Sequence, residues 1–267
     1  MISEAKVRIH HFAREKARGE KITMLTAYDA LTARIFEAAG VDALLVGDSL
    51  GNVVLGYDST LPVELSDMIR ATEAVSRVTN HPLVVADLSF GSYEAGPVQA
   101  FESAAALMKA GAQAVKLEGG VARAHLISAL VDGGIPVMAH IGYTPQAEHA
   151  LGGPRLQGRG DTADCLLQDA LAVEEAGAFA VVLEMVPASL AARISKRLTI
   201  PTIGIGAGPD CDGQVLVWSD MAGMTSWSPK FAKRFAELGE GLKNAAKDYV
   251  DEVRAGSFPS AEHSRES

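Results

Sequence analysis

The chain has 267 residues, 48% of them hydrophobic, and its 24 Lys and Arg against 33 Asp and Glu leave a formal net charge of −9. That length and apolar fraction suffice to bury a full core, while the acidic balance argues against a nucleic-acid or anionic-membrane surface. No run of about 18 apolar residues occurs, so nothing is expected to span a bilayer.

Met1-Ile2-Ser3-Glu4-Ala5-Lys6 carries charges and no apolar core, so it is not read as a signal peptide. Residues 1 to 20, with His10-His11-Phe12 and the basic Arg14, Lys16 and Arg18, are read as a short helical segment that closes the bottom of a barrel or meets a partner subunit. Ile22-Thr23-Met24-Leu25-Thr26 reads as the first strand. Asp29 is placed either to cap the helix from Ala30 to Ala39 or to act near a site. Then Val41-Asp42-Ala43-Leu44-Leu45-Val46 runs as a buried parallel strand into Gly47-Asp48-Ser49.

The pattern of helix end, glycine, apolar strand and acid recurs. It is repeated in Met108-Lys109-Ala110-Gly111 before Ala114-Val115-Lys116-Leu117-Glu118, and in Glu174-Glu175-Ala176-Gly177 before Ala180-Val181-Val182-Leu183-Glu184. His81-Pro82-Leu83-Val84-Val85-Ala86-Asp87 and Ile135-Pro136-Val137-Met138-Ala139-His140 keep only the ending. Five strands thus each deliver a titratable residue at the carboxyl end, where α/β folds place their chemistry.

Between them, Leu50 to Pro62 is expected as a loop and Ser66 to Val78 as a helix. The helix from Val98 to Ala110 should bury Phe101, Ala105 and Met108. Another helix spans Ala122 to Val131, with Gly133-Gly134 as its stop. The glycine-rich segment after His140, to Gly160, reads as a long mobile loop over the site. Helices over Thr162–Ala176 and Ala188–Arg197 flank the Glu184 strand. Ile200 to Ile205 is a strand entering Gly206-Ala207-Gly208, a set of glycines that suits either phosphate binding or tight packing. Val215-Leu216-Val217 is the eighth strand, and terminal helices occupy Lys230 to Val253. The count predicts a (β/α)8 barrel as one domain over residues 1–267, with a polar tail at 257–267. Cys165 and Cys211, the only cysteines, lack metal-type spacing and read as free thiols of a reducing cytoplasm.

Asp48, Asp87 and Glu118 end three consecutive strands. Carboxylates so close repel unless a proton or a cation lies between them, and an all-oxygen set suits Mg²⁺ or a similar hard divalent ion. Lys116, two residues before Glu118, shares its face. It should meet a substrate carboxylate, or else an acid on a neighbouring strand. His140 could orient a substrate oxygen or be a hydrogen-bonded core histidine. Glu184, across the ring and apart from the metal, is the free carboxylate suited to proton abstraction.

Several strings together resemble the ketopantoate hydroxymethyltransferase family. They are Thr26-Ala27-Tyr28-Asp29, Val46-Gly47-Asp48-Ser49-Leu50-Gly51, Asp58-Ser59-Thr60-Leu61-Pro62-Val63, Val115-Lys116-Leu117-Glu118-Gly119-Gly120, His140-Ile141-Gly142-Tyr143-Thr144-Pro145-Gln146, Gln157-Gly158-Arg159, Ile203-Gly204-Ile205-Gly206-Ala207-Gly208 and Pro229-Lys230-Phe231. The likeness runs in order over residues 20 to 265. It implies transfer of a one-carbon unit from 5,10-methylenetetrahydrofolate to 3-methyl-2-oxobutanoate, giving 2-dehydropantoate for pantothenate synthesis through a Mg²⁺-stabilised enolate. By the same resemblance Asp48, Asp87 and Glu118 hold Mg²⁺; Asp48, Ser49, Asp87 and Lys116 bind the ketoacid; Glu184 is the base; and the enzyme is a cytoplasmic homo-oligomer, a decamer. Thr225-Ser226-Trp227-Ser228 departs from the family's pattern, which bears on local folate contacts. The competing reading is a Mg²⁺-dependent C–C lyase of the phosphoenolpyruvate/isocitrate barrel group, but neither cysteine falls in the loop after the metal strands that such a lyase would use.

Overall fold

The computed structural model describes residues 5–265, so most of Met1–Lys6 and the end of the tail lie outside the described residues. Eight parallel strands close into a barrel in chain order. They are β1 (Ile22–Thr26), β2 (Ala43–Val46), β3 (Leu83–Asp87), β4 (Ala114–Glu118), β5 (Val137–Gly142), β6 (Ala180–Glu184), β7 (Thr202–Ile205) and β8 (Gly213–Leu216). Every residue of β2, β3 and β4 is buried. This is why these strands read as continuous apolar runs: helices cover the outside and side chains fill the inside.

The helices preceding β8 are α1 (Ile9–Arg18), α2 (Ala30–Ala38), α3 (Leu65–Ser76), α4 (Pro97–Lys109), α5 (Ala124–Asp132), the one-turn α6 (Glu148–Leu151), α7 (Thr162–Glu175) and α8 (Ala188–Arg197). Asp29 caps α2, its carboxylate accepting from the Leu31 and Thr32 amides. Of the two readings of the N-terminal segment, Phe12 on α1 realises the first. It is 1% exposed and joins Ile22, Leu83, Ala114, Ala180 and Val215 in the core. Its ring meets Phe179 edge-on at 5.4 Å between centroids.

Within the barrel, three expectations need correction. On α4 the buried positions are Ala100, Ser103, Ala104 and Leu107, one residue out of phase with the Phe101 stripe; Phe101 is 41% exposed and turns sideways to fill the space over Gly133 beside α5. The loop after β2 contains a π-helical turn, Gly51–Leu55. The segment after β5 is not structureless, because a 3₁₀ turn (Pro145–Ala147) leads directly into α6. Its far end is tied down where the Gln157 amide donates to the Met185 carbonyl at 2.9 Å.

The chain divides into two compact units at Leu216/Val217. The second contains α9 (Trp218–Met221) and α10 (Leu238–Ala255). Residues before Leu238 are not helical as expected: Phe235, Leu238 and Gly239 donate their amides back to Met221, Ala222 and Gly223, bonds that a helix through this stretch would not make. Among the described residues no helix is long and apolar enough to cross a membrane.

Candidate active site

Parallel register brings the strand-end residues together. Asp87 lies opposite Lys116, Glu118 opposite His140, and Gly142 opposite Glu184. The last pairing needs glycine. At φ 96°, a Cβ on Gly142 would fall 2.2 Å from the Glu184 carbonyl oxygen. Met185, immediately after Glu184, has φ 48°, a conformation of about 1–3 kcal/mol strain for a non-glycine residue and one that clusters at functional sites. It turns the chain sharply after the acid, with its amide donating to Ile205 and its carbonyl accepting from Gln157.

One continuous polar chain results. Lys116 Nζ lies 2.9 Å from Asp87 Oδ1 and 3.4 Å from His140 Nδ1. His140 in turn places Nδ1 3.4 Å from Glu118 Oε1 and Nε2 3.2 Å from Glu184 Oε2. Asp87 Oδ2 accepts the Asp48 amide at 3.1 Å, and the Ser49 hydroxyl sits 2.8 Å from Tyr28 Oη. Asp48, Asp87, Lys116, Glu118 and His140 are each 5% exposed or less. Lys116 thus meets a neighbouring acid, and His140 is a buried histidine with a carboxylate near each ring nitrogen. Glu184, four strands from Asp48, is only one imidazole away from Glu118, closer to the acids than expected.

Burial, and then the neighbouring Asp87 charge, push the Asp48 carboxyl up to about 8. Burial also raises Asp87, against the opposing pull of Lys116. For His140, burial and Lys116 act downward, but hydrogen bonds to Glu118 and Glu184 outweigh them and carry it up to about 9. Raised in this way, Asp48 would release its proton when a divalent cation binds. Two buried oxygen-donor acids short of positive charge fit a hard ion. Among the described residues no three His, Cys, Asp or Glu side chains are gathered as a metal cage.

Two residues escaped the sequence reading. Gln146 and Tyr93, 7% and 1% exposed, are hydrogen-bonded to each other and to the acids. The signals for Gln146 were its place in the string His140–Gln146 and Pro145, which starts a helical turn. Gly208 settles the glycine triplet's packing: its Cβ would fall 2.5 Å from that of Ala188.

The sequence model of ketopantoate hydroxymethyltransferase matches residues 6–261. A relative from Mycobacterium avium, named 3-methyl-2-oxobutanoate hydroxymethyltransferase, is 60% identical over 260 residues, covering 97% of this chain and 91% of its own. A relative of the same name from Rhodococcus jostii is 57% identical, covering 98% and 92%. Among solved structures, a phosphonopyruvate hydrolase superposes with a TM-score of 0.63 at 15% identity, covering 96% and 92%. A 2,3-dimethylmalate lyase does so with 0.59 at 17%, covering 96% and 91%. Those two establish the barrel fold alone. With a matching family model and close relatives along nearly its whole length, the chain belongs to the ketopantoate hydroxymethyltransferase family.

Proposed function

We propose that this enzyme transfers a hydroxymethyl group from 5,10-methylenetetrahydrofolate to 3-methyl-2-oxobutanoate, giving 2-dehydropantoate, with Glu184 as the base. The observation that carries the residue assignment is the exposure gradient along the polar chain. The Glu184 side chain is 16% exposed, against 4% for those of Asp87, Glu118 and His140. It is the carboxylate a substrate can reach.

Asp48 and Asp87 would hold a divalent cation, Mg²⁺ or similar, with Glu118 beside them; when bound, it supplies Lewis-acid stabilisation of charge on the 2-oxo acid's oxygens. Lys116 and the Asp48–Ser49 turn receive the substrate carboxylate, the ammonium being the buried cation nearest those acids. Glu184 accepts the proton on C3, and the electron pair left there, delocalised into the 2-oxo group, forms the new bond to the donor's methylene carbon. One of that carbon's two bonds to folate nitrogen breaks as the C–C bond forms and its nitrogen takes up the proton from Glu184; water then replaces the second C–N bond, its hydroxyl completing the hydroxymethyl group and its other proton leaving on tetrahydrofolate. His140 orients Glu184 through Nε2 and places its second donor on Glu118.

Incubating the protein with both substrates should yield 2-dehydropantoate. Cleavage of a C–C bond in a 2-alkylmalate without folate, and no transfer, would favour the lyase reading instead. Asp87→Asn should weaken metal and ketoacid binding together, and removal of bound metal in excess chelator should abolish turnover. Full turnover after that treatment would refute the metal assignment.

The free thiols Cys165 and Cys211 and the folate co-substrate suit a cytoplasmic enzyme. We place it in a homo-oligomer, for which a decamer is the family expectation. α10 buries none of its 18 residues, and Leu238, Leu242, Tyr249 and Val253 form an apolar stripe along it, each at least 44% exposed. Sedimentation at micromolar concentration should give a multiple of the 28.0 kDa chain mass, and a monomer mass would overturn this.

A further inference from the structure

We propose that Gln146 is the positioning residue of the acid cluster: it caps one oxygen of Asp48 and braces Glu118, leaving the other Asp48 oxygen for a divalent cation. The proposal rests on the metal reading above and adds to it a residue that binds neither metal nor substrate.

Each polar group of Gln146 except its backbone carbonyl has a defined task. Nε2 donates to Asp48 Oδ2 at 2.8 Å and to the Leu88 carbonyl at 2.9 Å. Oε1 accepts the Tyr93 hydroxyl at 2.6 Å. The backbone amide donates to Glu118 Oε2 at 3.0 Å. One buried residue, on the 3₁₀ turn after β5, thereby joins the ends of β2, β3 and β4. Its amide orientation is determined by these partners. Turned over, Oε1 would face a carboxylate and a carbonyl, neither of which has a hydrogen to give.

The chemistry asks for this residue type. A carboxylate left to rotate among Asp87, Glu118 and Lys116 presents no single oxygen to an ion. A donor on Oδ2 holds the plane of Asp48 and leaves Oδ1 open. Glutamine does so without charge. A glutamate would add a fourth negative group beside Asp48, Asp87 and Glu118, and a lysine would compete with the cation. Such outer partners of metal-binding carboxylates typically govern affinity by about 10–100-fold.

The test is Mn²⁺ titration of the full-length protein, followed by the electron paramagnetic resonance signal of free Mn²⁺, without ketoacid or folate. Gln146→Met keeps length and bulk but has no donor; it is expected to bind Mn²⁺ about 10–100-fold more weakly. At saturating Mn²⁺ it should recover exchange of the substrate C3 proton in D₂O, because Glu184 and His140 are untouched. A role confined to packing would lower the melting temperature and leave Mn²⁺ affinity alone. Asp87→Asn is measured in parallel. If Asp87→Asn loses Mn²⁺ while Gln146→Met binds like the wild type, this proposal is wrong and the metal reading stands; if both bind normally, both fail. Should Gln146→Met not fold, Tyr93→Phe removes the hydroxyl that orients Oε1 and also accepts the Glu118 amide at 3.3 Å. It should weaken Mn²⁺ by about 2–10-fold, the worth of one neutral hydrogen bond, and an unchanged affinity there also overturns the proposal.

Discussion

Glu184→Gln should lower turnover by about 10²–10⁴-fold, the usual contribution of a general base, while ketoacid affinity stays near normal. Glutamine keeps the length of the side chain and can still meet His140 Nε2 through its amide oxygen, but it cannot accept the C3 proton. Asp48, Asp87 and Lys116 are unaltered, so the loss should fall on kcat rather than on binding. The partial reaction separates the steps. Wild-type protein with a divalent cation and 3-methyl-2-oxobutanoate in D₂O should exchange deuterium into C3 without folate, and the variant should not. Exchange at the wild-type rate in the variant would remove Glu184 from the role. His140, which lies 3.2 Å away, would then be the next group to test.

Lys116→Met should destabilise the metal-free protein by about 3–5 kcal/mol, the consequence of leaving a buried ion pair without one partner. Burial alone would lower the lysine's pKa, but Asp87, Glu118 and Asp48 outweigh it and hold the ammonium above its ordinary value. A raised lysine contributes stability that is fully present below its unfolded pKa of about 10.4 and is lost only as pH climbs through the folded value. The wild type therefore keeps this contribution across the neutral range. In the variant, Asp87 loses its cation and its already raised pKa rises further. A carboxyl raised in the folded state favours folding below its unfolded pKa of about 3.9, and that contribution is lost as pH rises through the folded value. The stability deficit should accordingly widen as pH rises from about 4 to about 7. Urea unfolding in excess chelator at those two values measures it, and equal deficits would contradict the buried-pair account.

The barrel was legible because its central strands β2, β3 and β4 are buried on both faces. Such strands must be apolar throughout, and each ends where the chain leaves the core, so the first polar residue marks the mouth. That is why Asp48, Asp87, Glu118, His140 and Glu184 stood out from composition and order alone, and why β4 falls where local patterning placed it. Where burial is one-sided the same reading slipped. Phe101 was assigned to the core of α4, yet the inward stripe is one residue earlier. A helix's phase against its sheet is set by packing, and alanines satisfy the inward face as well as an aromatic would. Connections between distant strands were beyond the sequence as well. Which acid Lys116 meets was not legible, and only the β3–β4 register, with Asp87 opposite Lys116, identified it. Gln146 lies 98 positions from Asp48 along the chain and in a segment without periodicity, so no local pattern could pair them. The residue types at the strand ends were determined by the sequence; which of those groups share a hydrogen bond was decided by barrel closure, which brings side-chain atoms of residues far apart in the chain to about 3 Å.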